Sequence, residues 1–188
     1  MSDARGARPA PGSPIILIGP PGAGKTTVAG VLAARLGVTA RDTDADVERE
    51  TGTAIADIFV EQGEPAFRAL EREAVRRALS GHHGVLALGG GSVLDPATEE
   101  ALRRHTVVFL DVGVADAARR IGLNQSRPLL VGNPRAAWQR LMDQRRPVYE
   151  RVATVVVHTD GHTPEQVATL VLEALEALEA GVGAEGPR

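Results

Sequence analysis

Ile15-Ile-Leu-Ile-Gly19-Pro-Pro-Gly22-Ala23-Gly24-Lys25-Thr26-Thr27 is the stretch on which the fold turns. Its first four residues are all apolar, with no polar alternation, and suit a strand buried on both faces. Gly19 to Thr26 then fits G-x-x-x-x-G-K-[ST], and helical patterning follows from Lys25. A glycine-rich turn between a strand and a helix lets successive backbone N–H groups point inward at phosphate oxygens, and the helix N-terminus adds a favourable dipole. Gly22, Ala23, Gly24, Lys25, Thr26 and Thr27 are therefore the expected phosphate cradle. Lys25 reaches the β/γ-phosphates and the Thr26 hydroxyl ligates Mg²⁺. The segment predicts binding of a nucleoside triphosphate.

Outward from this loop, short apolar runs alternate with amphipathic stretches, as in an α/β fold with a parallel sheet. Strands are expected at 15–18, 85–88, 107–110 and 155–157, each too apolar to face water on one side, with a shorter one at 39–41. Helices are expected from Lys25, near Ile55, near Glu64, after Asp95-Pro96, near Val114, near Pro134 and from Pro164. Asp95-Pro96 and Thr163-Pro164 place a capping side chain before a proline at the first helical position. Val167, Val171, Leu175 and Leu178 form a stripe expected to pack on the sheet. Residues 1–13 and 181–188 are rich in Gly, Pro and Ala and are expected to be disordered ends around a single domain at 14–180.

Composition narrows the chemistry. The 188 residues are 43% hydrophobic and 24% charged, which fits a globular domain and argues against general disorder. No cysteine is present, so thiol catalysis and cysteine-ligated metals are excluded. A net charge of −3 argues against a nucleic-acid or membrane partner, so phosphate must be held by a few placed cations. The start lacks the apolar core of a secretory signal, and a cytoplasmic location is the expectation.

A phosphate loop does not say where the phosphate goes. The N-K-x-D run of GTPases is absent. Thr106 to Asp111 imitates the strand of a motor ATPase, but Val112 follows where a catalytic glutamate would stand, and Asp111 reads as a strand-end cap. A small-molecule kinase remains, and it needs a polar acceptor site. Asp42 and Asp44 follow the second strand, and on an extended segment a spacing of two puts both carboxylates on one side. One can hold Mg²⁺ while the other meets an acceptor hydroxyl; a solvated acidic loop is the other reading. Gly89, Gly90 and Gly91 leave a buried strand where a ligand can approach the backbone. Arg68 lies in a helix beside Phe67 and Glu71. Residues 122–133 have the composition of a mobile lid carrying one cation, Arg127, expected to order over bound ligands. Arg145-Arg146-Pro147 reads as the end of a helix.

Together, GPPGAGKTT, DTDADVE, TGTAIADIF, GEPAFRALE, VLALGGGSV, NQSRPLL and RRPVYERVA resemble the shikimate kinase family over about residues 14–180. The resemblance implies a three-layer P-loop fold of nucleoside-monophosphate-kinase type, with a five-stranded parallel sheet and a lid. It implies ATP- and Mg²⁺-dependent transfer of the γ-phosphoryl to the 3-hydroxyl of shikimate, giving shikimate 3-phosphate on the way to chorismate and the aromatic amino acids, by a monomer. It implies Lys25, Asp44 and Arg127 at the reaction, Thr26 and Asp42 at the metal, and Arg68, Arg145 and Gly89–Gly91 around shikimate. Ile55, Phe59, Phe67, Glu71, Pro128 and Leu129 fall where relatives shape the acceptor pocket. Arg120 matches one adenine-flanking arginine. His162 stands where many relatives carry the other, so that an adenine contact and an exposed loop histidine are both open for it. Another kinase of this fold, such as a gluconate kinase, would have no need for Asp42/Asp44, Arg68 and Arg145 together.

Overall fold

The computed structural model describes residues 13–121 and 134–181. Five parallel strands form one sheet in the order β2-β3-β1-β4-β5, with β1 at Ile15–Ile18, β2 at Ala40–Asp42, β3 at Val85–Ala87, β4 at Thr106–Asp111 and β5 at Val155–His158. Crossover helices join them, as parallel pairing requires. The described residues hold α1 (Lys25–Leu36), α2 (Thr43–Thr51), α3 (Ile55–Glu61), α4 (Gly63–Gly81), α5 (Pro96–Leu102), α6 (Val114–Ile121), α7 (Pro134–Val152) and α8 (Pro164–Glu179). Among them, no helix is long and apolar enough to cross a membrane.

The central strands β1, β3 and β4 are buried almost throughout, matching their unbroken apolar sequences. The outer strands differ from expectation. Val156 is 46% exposed, because β5 is an edge strand with one uncovered face. The expected caps are present: Asp95 accepts from Thr98 N at 2.9 Å, and Thr163 and Gln166 form a capping box. In the α8 stripe Val167 and Val171 are fully buried, and the helix packs on α1 and β5.

Two corrections concern the functional segments. Asp42 and Asp44 do not share one side of an extended chain. Asp42 ends β2 and caps α2, accepting from Asp44 N at 2.9 Å and Ala45 N at 3.4 Å. A short polar helix with little apolar periodicity is hard to see in sequence, and the capping aspartate is its main signal. Arg145 and Arg146 likewise do not end a helix, since α7 runs on through Pro147 to Val152. A proline in a helix interior removes one N–H and usually marks a break, but here the packing of Tyr149 and Val152 into the core holds the last turns helical.

Two apolar clusters result. The main one surrounds the sheet; a smaller one joins Val47, Ile58, Phe67 and Ala74 of α2, α3 and α4. The C-terminal half of α4 contributes Val75 and Ala78 to the main cluster, so this helix spans both.

Candidate active site

Gly22 and Gly24 take φ of 86° and 88°, a left-handed backbone that glycine adopts without strain. A side chain at Gly22 would also stand 2.9 Å from Ala117 Cα, so α6 packs directly on the loop. No side chain caps α1, and its first turn holds no acidic residue, which leaves its leading N–H groups for an anion. Ala23 is buried beneath the loop, and Thr27 is exposed on the first turn of α1. Lys25 Nζ donates to Gly19 O at 2.9 Å and to Pro20 O at 3.2 Å, holding its charge over the turn.

Thr26 Oγ1 donates to Asp42 Oδ2 at 2.5 Å. A hydroxyl and a carboxylate brought together beside a phosphate loop are the hard oxygen donors that Mg²⁺ prefers, so these residues fit the ion. Two residues on, Asp44 has an orphan: its Oδ1 is buried with no hydrogen-bond partner among the described residues. Burial, reinforced by the Asp42 charge, pushes the Asp44 carboxyl up to about 6. Asp46, the third aspartate of the run, is buried but saturated by Arg41 at 2.5 Å and Arg49 at 2.6 Å. Both of its oxygens are thereby engaged, which leaves Asp42 and Asp44 as the candidate site residues of the run.

The three glycines after β3 are small because three elements converge on them. A Cβ at Gly89 would lie 2.3 Å from Asp44 Oδ1 and 2.6 Å from Glu71 Oε1, and one at Gly91 would lie 2.3 Å from Arg68 Nη1. At Gly90 it would meet Gly19 O at 3.2 Å and Arg145 Nη1 at 3.4 Å. The phosphate loop and the α7 arginine are thus separated by the width of one glycine. Arg68 Nη1 donates to Glu71 at 2.7 Å, and its Nε and Nη2 donate to Glu64 at 3.1 and 2.9 Å. Burial holds the Glu71 carboxyl above the usual range although Arg68 and Arg145 oppose it. Arg68 and Arg145 line a cleft of about 350 Å³ together with Glu64, Leu94, Arg140 and Leu141. Phe59 and Phe67 pack behind it with ring centroids 4.8 Å apart, and Ile55 adjoins them.

The family model for shikimate kinase matches residues 21–176. The chain belongs to the shikimate kinase family. The shikimate kinase of Thermobifida fusca (strain YX) is 56% identical over 162 residues, covering 86% of this chain and 94% of that one. That of Streptomyces coelicolor is 55% identical over 166 residues, covering 88% and 97%. Among solved structures, the shikimate kinase from Acinetobacter baumannii in complex with shikimate superimposes with a TM-score of 0.84 at 35% identity, over 92% of this chain and 96% of that one. The α/β fold expected from the alternating pattern, and the five-stranded parallel sheet that the resemblance implied, are therefore the fold observed.

On the expected nucleotide side, Arg120 and His162 both lie near the β5–α8 turn. Arg120 donates to Gly22 O at 3.3 Å and to Thr159 Oγ1 at 2.9 Å, and also bonds the Thr159 carbonyl. It ties the phosphate loop to the β5–α8 turn. His162 is exposed, with Nδ1 2.7 Å from Asp160 O. Arg127, Pro128 and Leu129 lie outside the described residues.

Two residues of the site escaped sequence reasoning. Trp138 Nε1 donates to Pro21 O at 3.0 Å, joining α7 to the phosphate loop. Tyr149 Oη donates to Gly90 O at 2.5 Å while its ring stacks on Phe109, 5.0 Å between centroids. Burial pushes the Tyr149 hydroxyl up to about 12, so it remains a donor at any working pH. Trp138 had only its rarity as a signal, the chain having one Trp, whereas Tyr149 lay inside the quoted RRPVYERVA segment without a role assigned to it. Asp111 carries a bidentate pair with Arg146 at 3.0 and 2.6 Å, in keeping with a structural role at the strand end.

Proposed function

We propose that this chain transfers the γ-phosphoryl group of ATP to the 3-hydroxyl of shikimate, forming shikimate 3-phosphate in aromatic amino-acid biosynthesis. The observation that carries this reading is the convergence at Gly90, where an added Cβ would meet both the phosphate-loop carbonyl of Gly19 and the Arg145 guanidinium. A donor phosphate on one side of this glycine and an acceptor carboxylate on the other would be placed for direct transfer.

In this reading the α1 N-terminus and Lys25 hold the β- and γ-phosphates. Thr26 and Asp42 would hold Mg²⁺, which supplies charge neutralisation across the phosphate oxygens. Arg68 and Arg145 bind the shikimate carboxylate, a planar anion suited to guanidinium forks. The unpartnered Asp44 Oδ1 accepts the hydrogen bond of the reacting hydroxyl and orients its lone pair toward the phosphorus. In a loose transition state the hydroxyl need not be deprotonated early, so orientation is the larger part of that role. Arg127 supplies a further cation to the transferring phosphoryl group, and Arg120 and His162 flank the adenine. The chain works as a cytoplasmic monomer, without nucleic-acid or membrane partners.

A coupled ADP-release assay with shikimate, run beside gluconate and AMP, tests the assignment; turnover with either of the latter and not with shikimate would end it. Arg68→Ala and Arg145→Ala should each weaken shikimate binding by about 1.5–3 kcal/mol. ATP binding, measured by calorimetry, should be nearly unchanged, and equal loss of both ligands would contradict the clamp. Thr26→Ala should raise the Mg²⁺ concentration giving half-maximal rate by roughly tenfold. An unchanged Mg²⁺ titration would remove Thr26 from the metal site.

A further inference from the structure

The acceptor clamp, taken by itself, is electrically neutral. Arg68 and Arg145 bring two guanidinium groups to the cleft, and Glu64 and Glu71 set two carboxyl groups against Arg68. Glu71 is buried against Arg68 at 2.7 Å, and Glu64, half exposed, covers the other edge of the same guanidinium. An incoming carboxylate therefore meets an arginine already engaged by two carboxylates. Neutral clamps give good geometry but weak attraction.

One cation in the cleft is not balanced in this way. Arg140 lines the same 350 Å³ space, is exposed, and has no hydrogen-bond or ion-pair partner among the described residues. Ala137, Arg140, Leu141, Gln144 and Arg145 all line the cleft, a spacing that places them on one face of α7. Arg145 sits at the buried edge of that face and Arg140 about 7.5 Å away along the axis, toward solvent. Approach along this face of α7 thus meets the open Arg140 guanidinium before it reaches the buried Arg145 and the carboxylate-engaged Arg68.

We infer that Arg140 is an outer carboxylate-recognition residue, supplying the net positive charge by which the cleft attracts and retains its anionic acceptor, while Arg68 and Arg145 fix its orientation. This rests on the reading of the cleft as the shikimate site. It assigns to Arg140 a part in substrate capture and none in phosphoryl transfer. A neutral polyol of the same shape would gain nothing from it, so the residue also selects for acids.

Steady-state kinetics of the full chain, with ATP saturating and shikimate varied, test this. Arg140→Ala should lower kcat/KM for shikimate roughly three- to tenfold at low salt, with kcat and the KM for ATP within about twofold of wild type. Arg140→Glu should fall further, and Arg140→Lys should recover most of the loss. The gap between wild type and Arg140→Ala should narrow as added salt shortens the screening length from about 30 Å at 0.01 M to about 8 Å at 0.15 M. Wild-type kcat/KM in both the Ala and Glu variants would overturn the inference, as would a loss in kcat instead of kcat/KM or a deficit indifferent to salt. If the unaltered chain does not phosphorylate shikimate, the acceptor reading and this inference fall together. If it does and Arg140 proves indifferent, only the inference falls.

Discussion

Lys25→Ala is expected to lower kcat by at least about 10²–10³-fold, the scale of losing one positioned charge from a site where charge develops. Negative charge spreads over the transferring phosphoryl oxygens and the bridging oxygen as the bond to ADP lengthens. Lys25 is held for that task before any ligand arrives, because its ammonium already bonds the carbonyls of Gly19 and Pro20 at 2.9 and 3.2 Å. Turning toward phosphate therefore exchanges two neutral acceptors for an anion without searching rotamer space. The fold should survive the substitution, since both carbonyls are only part-buried and water can replace the ammonium. A thermal melt within a few degrees of wild type, with turnover nearly gone, is the expected pair of results. Near-normal kcat would show that the glycine loop is not the phosphate site.

Asp44→Asn should have two effects of opposite sign. Turnover should fall by about 10²-fold or more, because a carboxamide is a weaker acceptor for the reacting hydroxyl and adds an N–H where none is wanted. The ligand-free protein should nevertheless become more stable at neutral pH. Asp44 ordinarily titrates at 3.8, and burial beside Asp42 raises it to about 6. A raised pKa means that the folded state favours the proton, so the stability it confers is present below 3.8 and lost as pH rises through about 6. At pH 7 and above the ionised carboxylate costs the empty enzyme about 1–3 kcal/mol, and the asparagine variant escapes that cost. Melts from pH 4 to 8, without nucleotide or metal, should show the two proteins converging in acid and separating above pH 6. A variant less stable than wild type at pH 8 would refute the account of Asp44 as a strained, unpartnered anion.

What could be read from the chain depended on how local each signal was. The phosphate loop was legible because strand, glycines, lysine and helix start lie within thirteen consecutive residues, each required by backbone geometry. Gly89–Gly91 were legible as a place of close approach, but what approaches was not. Asp44, Arg68 and Glu71 arrive from α2 and α4, and Arg145 from α7. The DTDAD run shows the same limit. Three aspartates look alike in sequence, and it takes the actual turn from β2 into α2 to show that Arg41, five residues before, and Arg49, three residues after, both close on Asp46, while burial leaves Asp44 Oδ1 without a hydrogen-bond partner among the described residues. Pro147 misled by a rule that holds for isolated helices and yields when the following turn is pinned by a buried tyrosine. Trp138 and Tyr149 act through single bonds to backbone carbonyls, which no pattern of spacing announces.

The division of α4 between two apolar clusters makes that helix a lever. Val75 and Ala78 embed its C-terminal half in the large cluster on the sheet, whereas Phe67 and Ala74 sit in the small cluster with Val47 and Ile58. The fulcrum falls near Ala74 and Val75, and Arg68 lies about 10 Å up the arm. A tilt of about 6° there displaces the guanidinium by about 1 Å, enough to make or unmake a charge-assisted hydrogen bond. On that arm the small cluster and the Arg72–Asp95 ion pair have to yield for such a tilt, while the large cluster grips the other side of the pivot. The acceptor arginine can therefore be trimmed onto its ligand by elastic compliance in a few side chains while the phosphate loop, rooted in the sheet, stays still.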